Sequence, residues 1–180
     1  INIGGSKTWN DNNDQDGLRK KIKGIIIRLW KGEQEVANQT VTATDGWKWE
    51  FDNLPKYENG AEIEYFITED KVEGYDTSYD GYNVINTHTP ETTEVSGSKT
   101  WDDNDNQDGA RPKFITINLF ANGTGIQTIE VRPDADGNWN YSFTDLPKYE
   151  NGVEIEYTIT EDKVKDYTTS VDGYNVTNKH

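Results

Sequence analysis

The sequence predicts an all-β protein made of two tandem immunoglobulin-like β-sandwich domains. The chain repeats itself, because Ser6-Lys7-Thr8-Trp9 returns as Ser98-Lys99-Thr100-Trp101 and Gly81-Tyr82-Asn83-Val84 returns as Gly173-Tyr174-Asn175-Val176, each 92 residues later. A unit of this length is too long for a solenoid repeat and fits a small domain with its own core. Apolar and polar residues alternate between turn signals, which is typical of a sandwich. We therefore place the first domain at residues 1–88, a linker at 89–92 and the second domain at 93–180.

The individual strands are predicted from the period-two alternation, which marks a strand with one buried face. In the first copy this pattern predicts strands near 3–9, 22–30, 34–42, 47–51, 62–67 and 82–86. Counterparts in the second copy include 114–122 and 126–132. Turn signals such as Asp45-Gly46 and Asp80-Gly81 separate the strands. We expect about seven short strands per copy and no amphipathic helix.

The composition excludes several classes of function. A formal net charge of −15 argues against binding nucleic acid or an anionic membrane through a basic patch. The chain has no apolar run of roughly 18 residues, so no membrane insertion is expected. It contains no cysteine and therefore no disulfide, which leaves two interpretations: the chain is cytosolic, or something other than a disulfide holds a small extracellular domain together. Because the chain has neither a starting methionine nor a signal peptide, we expect it to be a fragment of a longer protein.

Three polar residues in each copy lie in phase with the buried positions of their strands. The lysine follows Ile3 and Gly5 in the first strand, the glutamate follows Tyr65 and Ile67, and the asparagine follows Val84 in the last strand. Such residues are costly to bury unless they meet one another. They form either a buried ion pair with a neighbouring amide, or side chains that reach solvent at strand ends, or a reactive group. The residues are Lys7, Glu69 and Asn86 in the first copy and Lys99, Glu161 and Asn178 in the second.

The reactive interpretation follows from the chemistry of these three groups. In an apolar, aromatic pocket an ammonium loses its proton more readily and a carboxyl keeps its own. A neutral lysine amine is a nucleophile, and a protonated carboxyl can polarise an amide and move protons. The asparagine offers a carbonyl carbon with ammonia as the leaving group. The product is a lysine–asparagine isopeptide bond, formed once within the chain and without a cofactor.

The motifs of both copies carry a family resemblance. They include Gly-Ser-Lys-Thr-Trp-Asp-Asp-Asn-Asp-Asn-Gln-Asp-Gly at 97–109, Leu-Pro-Lys-Tyr at 146–149, Tyr-Thr-Ile-Thr-Glu at 157–161 and Tyr-Asn-Val-Thr-Asn at 174–178. The chain resembles, nearly end to end, the B-type (CnaB-like) repeat domains of Cna-like collagen adhesins of Gram-positive bacteria. The resemblance implies an inverse immunoglobulin-like sandwich in which an isopeptide bond joins the first strand to the last, assisted by an acid on a middle strand. It assigns the cross-links to Lys7–Asn86 and Lys99–Asn178, and the proton shuttles to Glu69 and Glu161.

Two loops rich in oxygen ligands raise the alternative of calcium binding. The candidate ligands do not complete an EF-hand, because Lys23 and Ile115 stand where the bidentate glutamate belongs. We therefore favour a solvated turn and predict no metal and no cofactor. The weak candidates are Asn12, Asp14 and Asp16 in the first copy and Asn104, Asn106 and Asp108 in the second.

The function predicted from these features is structural. We expect a stalk or spacer segment of a Gram-positive, cell-wall-anchored surface adhesin, located outside the cell and stabilised by isopeptide bonds. It projects a distal ligand-binding region, has neighbouring repeats and that region of the same chain as partners, and is a monomer rather than an enzyme. A hydrolase would need a catalytic cleft, for which the strict repeat gives no signature.

The alternative function is a ligand-binding module that recognises carbohydrate or a host protein. It is motivated by Trp30, which is out of phase with Ile27 and Leu29 and is therefore expected to be exposed. At an offset of 92 residues, Asn122 stands at the matching position of the second copy. A binding function requires an exposed aromatic cluster or a groove, which a stalk does not need.

Overall fold

Each half of the chain folds into its own compact unit, one formed mainly by Ile1–Pro90 and the other mainly by residues 91–180. The computed structural model describes all residues from Ile1 to His180. The strands of the first unit are β1 (Ile3–Asn10), β2 (Ile25–Lys31), β3 (Gln34–Val41), β4 (Lys48–Phe51), β5 (Tyr57–Glu58), β6 (Ala61–Glu62), β7 (Tyr65–Glu69), β8 (Asp76–Asp80) and β9 (Asn83–Thr87). Those of the second unit are β10 (Thr92–Asp102), β11 (Ile115–Ala121), β12 (Thr124–Val131), β13 (Trp139–Pro147), β14 (Tyr149–Glu150), β15 (Val153–Glu154), β16 (Tyr157–Glu161), β17 (Thr168–Asp172) and β18 (Asn175–Lys179).

Seven of the strands in each unit form two sheets, which confirms the predicted all-β, immunoglobulin-like sandwich. In the first unit the sheets have the orders β4-β1-β9-β8 and β3-β2-β7, and β5 and β6 form a separate short hairpin. The second unit repeats this with β13-β10-β18-β17 and β12-β11-β16. The only helices are the three-residue 3-10 turns Arg19–Lys21 and Ala43–Asp45. No helix has the length and apolar character that crossing a membrane requires.

The core of each unit lies between its two sheets and follows the period-two pattern. On β2, Ile25, Ile27 and Leu29 are almost completely buried, and they pack in one cluster with Phe51 and Val84 of the other sheet. The second unit has an equivalent core. Full burial of a side chain of this size contributes roughly 1.5–3 kcal/mol, so few large residues suffice to hold each small domain together.

The first strand changes its partner halfway along its length. Residues 3–6 pair antiparallel with β4, and residues 7–10 pair parallel with β9. Gly5 lies just before the change, and a Cβ atom added to it would stand only 1.8 Å from the carbonyl oxygen of Tyr82. Only glycine permits this approach. The first and last strands of the domain therefore lie side by side from Lys7 onward.

Three of the predicted strands begin more than one residue away from the predicted position. The strand predicted at 62–67 is divided, because Ala61–Glu62 pair with β5 whereas β7, which pairs with β2, begins at Tyr65. The strand predicted at 22–30 begins at Ile25, because Arg19–Lys21 form a 3-10 turn before it. The strand predicted at 126–132 begins at Thr124, because Asn122 and Gly123 both adopt positive φ angles, 48° and 84°. Two such residues form the tight turn that joins neighbouring strands with the correct twist. The Asn-Gly pair was the signal for this turn.

The offset between the two copies is consequently not constant. β2 corresponds to β11 at an offset of 90 residues, which aligns Leu29 with Leu119. Trp30 therefore corresponds to Phe120, and the match of Trp30 to Asn122 was wrong. The first copy has two extra residues in the loop before β2, and the second copy has two extra residues in the loop before β13. The two copies therefore have the same total length, and the offset returns to 92 residues at their ends.

Candidate functional site

A buried polar triad lies between the sheets of the first unit and comprises Lys7, Glu69 and Asn86. Lys7 is on β1 and Asn86 is on β9, where Asn86 is paired with Trp9. The lysine and the asparagine are thus two positions apart on the same inner face of neighbouring strands. Glu69 ends β7 and reaches them from the opposite sheet. The side chains of Lys7 and Glu69 are 0% exposed, and so is residue Asn86.

Glu69 holds the other two members of the triad with different oxygens. The Lys7 ammonium donates a hydrogen bond to Oε2. The Asn86 amide donates through Nδ2 to Oε1 at 2.8 Å. A buried charge without such a partner would cost several kcal/mol. The carboxylate therefore stabilises the lysine and, at the same time, holds the amine and the amide against one group.

The second unit contains the same arrangement at Lys99, Glu161 and Asn178. Lys99 Nζ donates to Glu161 Oε2 at 2.8 Å, and Asn178 Nδ2 donates to Glu161 Oε1 at 2.7 Å. The side chains of the ion pair are again 0% exposed. The structure thus brings all six predicted residues together, three in each unit.

Both lysines lie in an apolar, aromatic environment. Lys7 Nζ is 4.5 Å from the ring centre of Trp9, and Lys99 Nζ is 3.8 Å from that of Trp101. Burial lowers the pKa of both lysines below the ordinary value, although the hydrogen bond and the charge of the glutamate oppose it. Because burial disfavours the charged form, removing a proton to give the neutral, nucleophilic amine costs less free energy here than in water.

A threonine that the sequence reasoning missed completes the triad in each unit. Thr77 of β8 is paired with Asn86 and accepts a hydrogen bond from Asn86 Nδ2 at 2.9 Å, while its own hydroxyl donates to Glu69 Oε1 at 3.0 Å. Thr169 does the same with Asn178 and Glu161, at 2.8 and 2.9 Å. The recurrence of this threonine at an offset of 92 was the available signal.

The acids next to the triad point away from it. Asp70 lies on the outer face and accepts two hydrogen bonds from the Arg28 guanidinium, at 2.7 and 2.8 Å. Asp162 accepts a hydrogen bond from Asn118 Nδ2 at 2.8 Å and is exposed. Neither acid is in hydrogen-bond contact with the lysine or the asparagine of its unit. The geometry therefore favours Glu69 and Glu161 as the acids of the two sites.

The calcium-candidate loops use their oxygens to hold their own backbone and neighbouring side chains. The Asp14 carboxylate accepts the backbone N–H groups of Arg19 and Lys20, at 2.9 and 3.1 Å, and Asn106 accepts that of Arg111 at 3.0 Å. Asn12 and Asn104 donate to nearby glutamines, and Asp16 and Asp108 contact His88 and His180. Asp14 and Asp16 are buried rather than exposed as the solvated-turn prediction supposed. No group of three or more histidine or acidic side chains is arranged to hold a metal ion.

The first acid of each loop, also missed from the sequence, is the best-bonded carboxylate of its unit. Asp103 is 5% exposed and accepts hydrogen bonds from Arg111 Nε at 3.0 Å, Arg111 Nη2 at 2.6 Å and the Tyr167 hydroxyl at 2.8 Å. The arginine holds the pKa of Asp103 well below its usual range. Asp11 makes the corresponding contacts with Arg19 and Tyr75. This cluster fixes the loop that follows the first strand.

The aromatic residue that motivated a binding function belongs to a pair on the outer face of the first unit. Trp30 is half-buried rather than exposed as predicted, because it stacks against Phe66 with ring centres 6.3 Å apart and its Nε1 donates to Thr68 at 2.8 Å. Phe66 is 45% exposed. In the second unit Phe120 faces Thr158, so the aromatic pair is not repeated.

The fold and the triad define a class: tandem immunoglobulin-like sandwiches, each with a lysine of the first strand, an asparagine of the last strand and a glutamate of the opposite sheet buried together between the two sheets. The family model of the Cna protein B-type domain matches residues 3–87 and again residues 95–179. The chain belongs to this family.

The relatives agree with this assignment. The chain is 42% identical to a collagen adhesin of Staphylococcus aureus over 97% of its own length, which is 15% of the length of that protein. It is also similar to the crystal structure of two B repeat units of the collagen-binding protein of Staphylococcus aureus, with a TM-score of 0.86 and 41% identity. This match covers 99% of the chain and 49% of that structure. The chain thus spans a small part of its curated relative and about half of the solved one.

Proposed function

We propose that each domain forms an intramolecular isopeptide bond, Lys7 to Asn86 and Lys99 to Asn178, and that the chain acts as a covalently braced stalk segment of a bacterial surface adhesin. The observation that carries this proposal is the shared carboxylate, which contacts the amine through one oxygen and the amide through the other. Its repetition in the second unit supports the same role there.

The reaction needs only the three groups of the triad. A proton passes from Lys7 Nζ to Glu69 Oε2 along their hydrogen bond, and the neutral amine attacks Asn86 Cγ to form the new C–N bond. Glu69 then gives its proton to Asn86 Nδ2 and takes a second proton from Nζ. The bond from Cγ to Nδ2 breaks, ammonia leaves, and the carboxyl remains protonated beside the new amide. Because the reaction occurs once and within one chain, the domain is not an enzyme.

The position of the bond supports a load-bearing role. It joins the first strand of the domain to the last, so tension that enters through β1 can leave through β9 without unfolding the residues between them. By analogy with a disulfide, closing a loop of about 80 residues stabilises the folded domain by roughly 4–5 kcal/mol. We infer from the relatives that the segment is exposed on a Gram-positive cell surface, between the wall and a distal binding region.

Intact-mass measurement tests this function directly. We expect the purified chain to be lighter than its sequence mass by two ammonia molecules, and peptide mapping to join the segments of Lys7 with Asn86 and of Lys99 with Asn178. A mass equal to the sequence mass would rule out the bonds and leave two buried ion pairs. Lys7→Ala combined with Lys99→Ala is the matched control, which should retain both ammonia molecules.

The alternative function, binding of carbohydrate or a host protein, receives less support. Its best evidence is the Trp30–Phe66 pair, which one unit has and the other lacks. The buried triad, in contrast, is complete in both units. A feature that both repeats share is better explained by a structural role of the repeats than by a ligand contact that only one repeat makes.

A further inference from the structure

We infer that Thr77 and Thr169 are positioning residues for bond formation, because they fix which end of the asparagine amide faces the glutamate. This inference rests on the proposed function and goes beyond the lysine, glutamate and asparagine. An amide has two chemically different ends, and the reaction uses them differently. The nitrogen must receive a proton and leave, whereas the oxygen must stay.

The hydrogen-bond directions define the orientation. The Thr77 hydroxyl has one hydrogen, and it donates this hydrogen to Glu69 Oε1 at 3.0 Å. Only its lone pairs then remain to meet Asn86, so the atom that it contacts at 2.9 Å must be a donor. That donor is Nδ2, and the same nitrogen lies 2.8 Å from Glu69 Oε1. The leaving nitrogen is therefore held beside the acid that protonates it.

The carbonyl end of the amide makes the need for this restraint clear. Asn86 Oδ1 and Asn178 Oδ1 are buried and have no hydrogen-bond partner. Leaving a buried acceptor without a partner costs about 1–3 kcal/mol. Because the oxygen accepts no hydrogen bond, no hydrogen bond on that side holds the amide in its orientation. The orientation is fixed on the nitrogen side alone, by the glutamate and the threonine.

The second unit supports the assignment independently. Thr169 accepts from Asn178 Nδ2 at 2.8 Å and donates to Glu161 Oε1 at 2.9 Å. Thr169 is exposed as a residue and Thr77 is only half-buried, so neither is a core residue. What the two have in common is the pair of hydrogen bonds to the site.

The test follows ammonia loss by mass in the full chain, after a short pulse of cell-free synthesis. Thr77→Val keeps the shape of the side chain but removes the hydroxyl. We expect it to slow bond formation in the first unit by about tenfold or more, since small errors of placement cost large factors in rate. The second unit serves as an internal reference, and Thr77→Ser should restore the rate. Thr169→Val repeats the test in the second unit, where Thr168→Val is the matched control on the neighbouring exposed threonine.

A second experiment, in the variant Asn86→Asp, distinguishes loss of the amide orientation from general structural damage caused by Thr77→Val. In Asn86→Asp the reacting carboxyl has two equivalent oxygens, and we expect the bond to form with loss of water instead of ammonia. Adding Thr77→Val to this variant should leave the rate of water loss nearly unchanged. Equal slowing in both backgrounds, or no slowing in either, would overturn the inference. Failure of the proposed function is distinguishable, because then the unmodified chain loses no ammonia from either unit.

Discussion

The two domains of this chain differ in their loops and agree in their buried lysine–glutamate–asparagine triad. β2 begins eight positions after Gly17, whereas β11 begins six positions after Gly109. The second unit regains the two residues before β13, in a turn where Asp134 accepts the backbone N–H groups of Asp136 and Asn138. The hydrogen bonds of the glutamate carboxylate are nevertheless the same in both units.

This difference shows that strand register, and not loop length, determines the site. The lysine, the asparagine and the threonine lie on three neighbouring strands whose pairing is identical in the two units. The loops that differ in length precede β2 and β4 and their counterparts, so they can gain or lose residues without moving these three strands. The comparison between the units therefore distinguishes the strand pairing that the triad requires from the loop lengths that can change without affecting it.

The largest expected effect comes from removing the carboxylate of one unit at a time. Glu69→Gln should stop bond formation in the first unit and Glu161→Gln in the second, because the amide cannot carry the protons. Each variant should lose one ammonia molecule instead of two. The affected unit should lose roughly 4–5 kcal/mol of stability and unfold under force with an added step of nearly full domain length.

The outward-facing acids provide the matched controls for this experiment. Asp70→Asn and Asp162→Asn change the neighbouring residue of each strand without touching the triad, so both bonds should still form. If Glu69→Gln also loses two ammonia molecules, the acid has been assigned wrongly. If only one unit responds to its own substitution, the two sites are not equivalent despite their geometry.

The fold and the triad could be predicted because both follow from the period of the strands. A lysine, a glutamate and an asparagine in phase with the core positions point into the sandwich, and their positions on the strands do not depend on the lengths of the loops. The threonine could not be singled out in this way, because threonine is an ordinary strand residue. Its role depends on the pairing of β8 with β9 and on the orientation of an amide, which the sequence pattern does not contain.

The loops were interpreted less well, for a different physical reason. Asp11 and Asp103 look like members of an acidic, solvated stretch. They are buried because the chain turns back, through residues with positive φ angles such as Asn12 and Asn104, so that an arginine eight positions later reaches them. Alternation gives no information about such a turn. The same limitation concealed the shifted offset that aligns Trp30 with Phe120.

An intermediate effect is expected from this loop cluster, and it should be equal in the two units. Asp11→Asn and Asp103→Asn each leave a partly exposed arginine facing a neutral group, which should cost about 1–3 kcal/mol. The exposed Asp105→Asn is the control and should change little. Thermal unfolding of the three variants measures the difference, and a clearly smaller effect in one unit would mean that its loop contributes less to the fold.

The pH dependence of the same cluster gives a second readout. Because the pKa of Asp103 is lower in the folded chain than its ordinary value of 3.8, the carboxylate stabilises the folded state above that value. The stabilisation is lost as the pH falls through the folded pKa. The unmodified chain should thus lose stability on acidification, and Asp103→Asn should lose less, since its amide does not titrate.

The smallest effect concerns the rim of the site, where the two units differ. The Glu69 backbone N–H donates to the Tyr79 hydroxyl at 2.8 Å, whereas the corresponding residue of the second unit is Val171, which cannot accept a hydrogen bond. Tyr79 is 46% exposed, so water partly replaces it, and Tyr79→Phe should cost only about 0.5–1 kcal/mol. Hydrogen exchange at the Glu69 amide should become faster in Tyr79→Phe, and exchange at the Glu161 amide should become slower in Val171→Tyr. Both bonds should form at the rates of the unmodified chain, because neither residue contacts the glutamate carboxylate. A change in ammonia loss on either substitution would show that the rim takes part in the chemistry, and that the two domains are less alike than their triads.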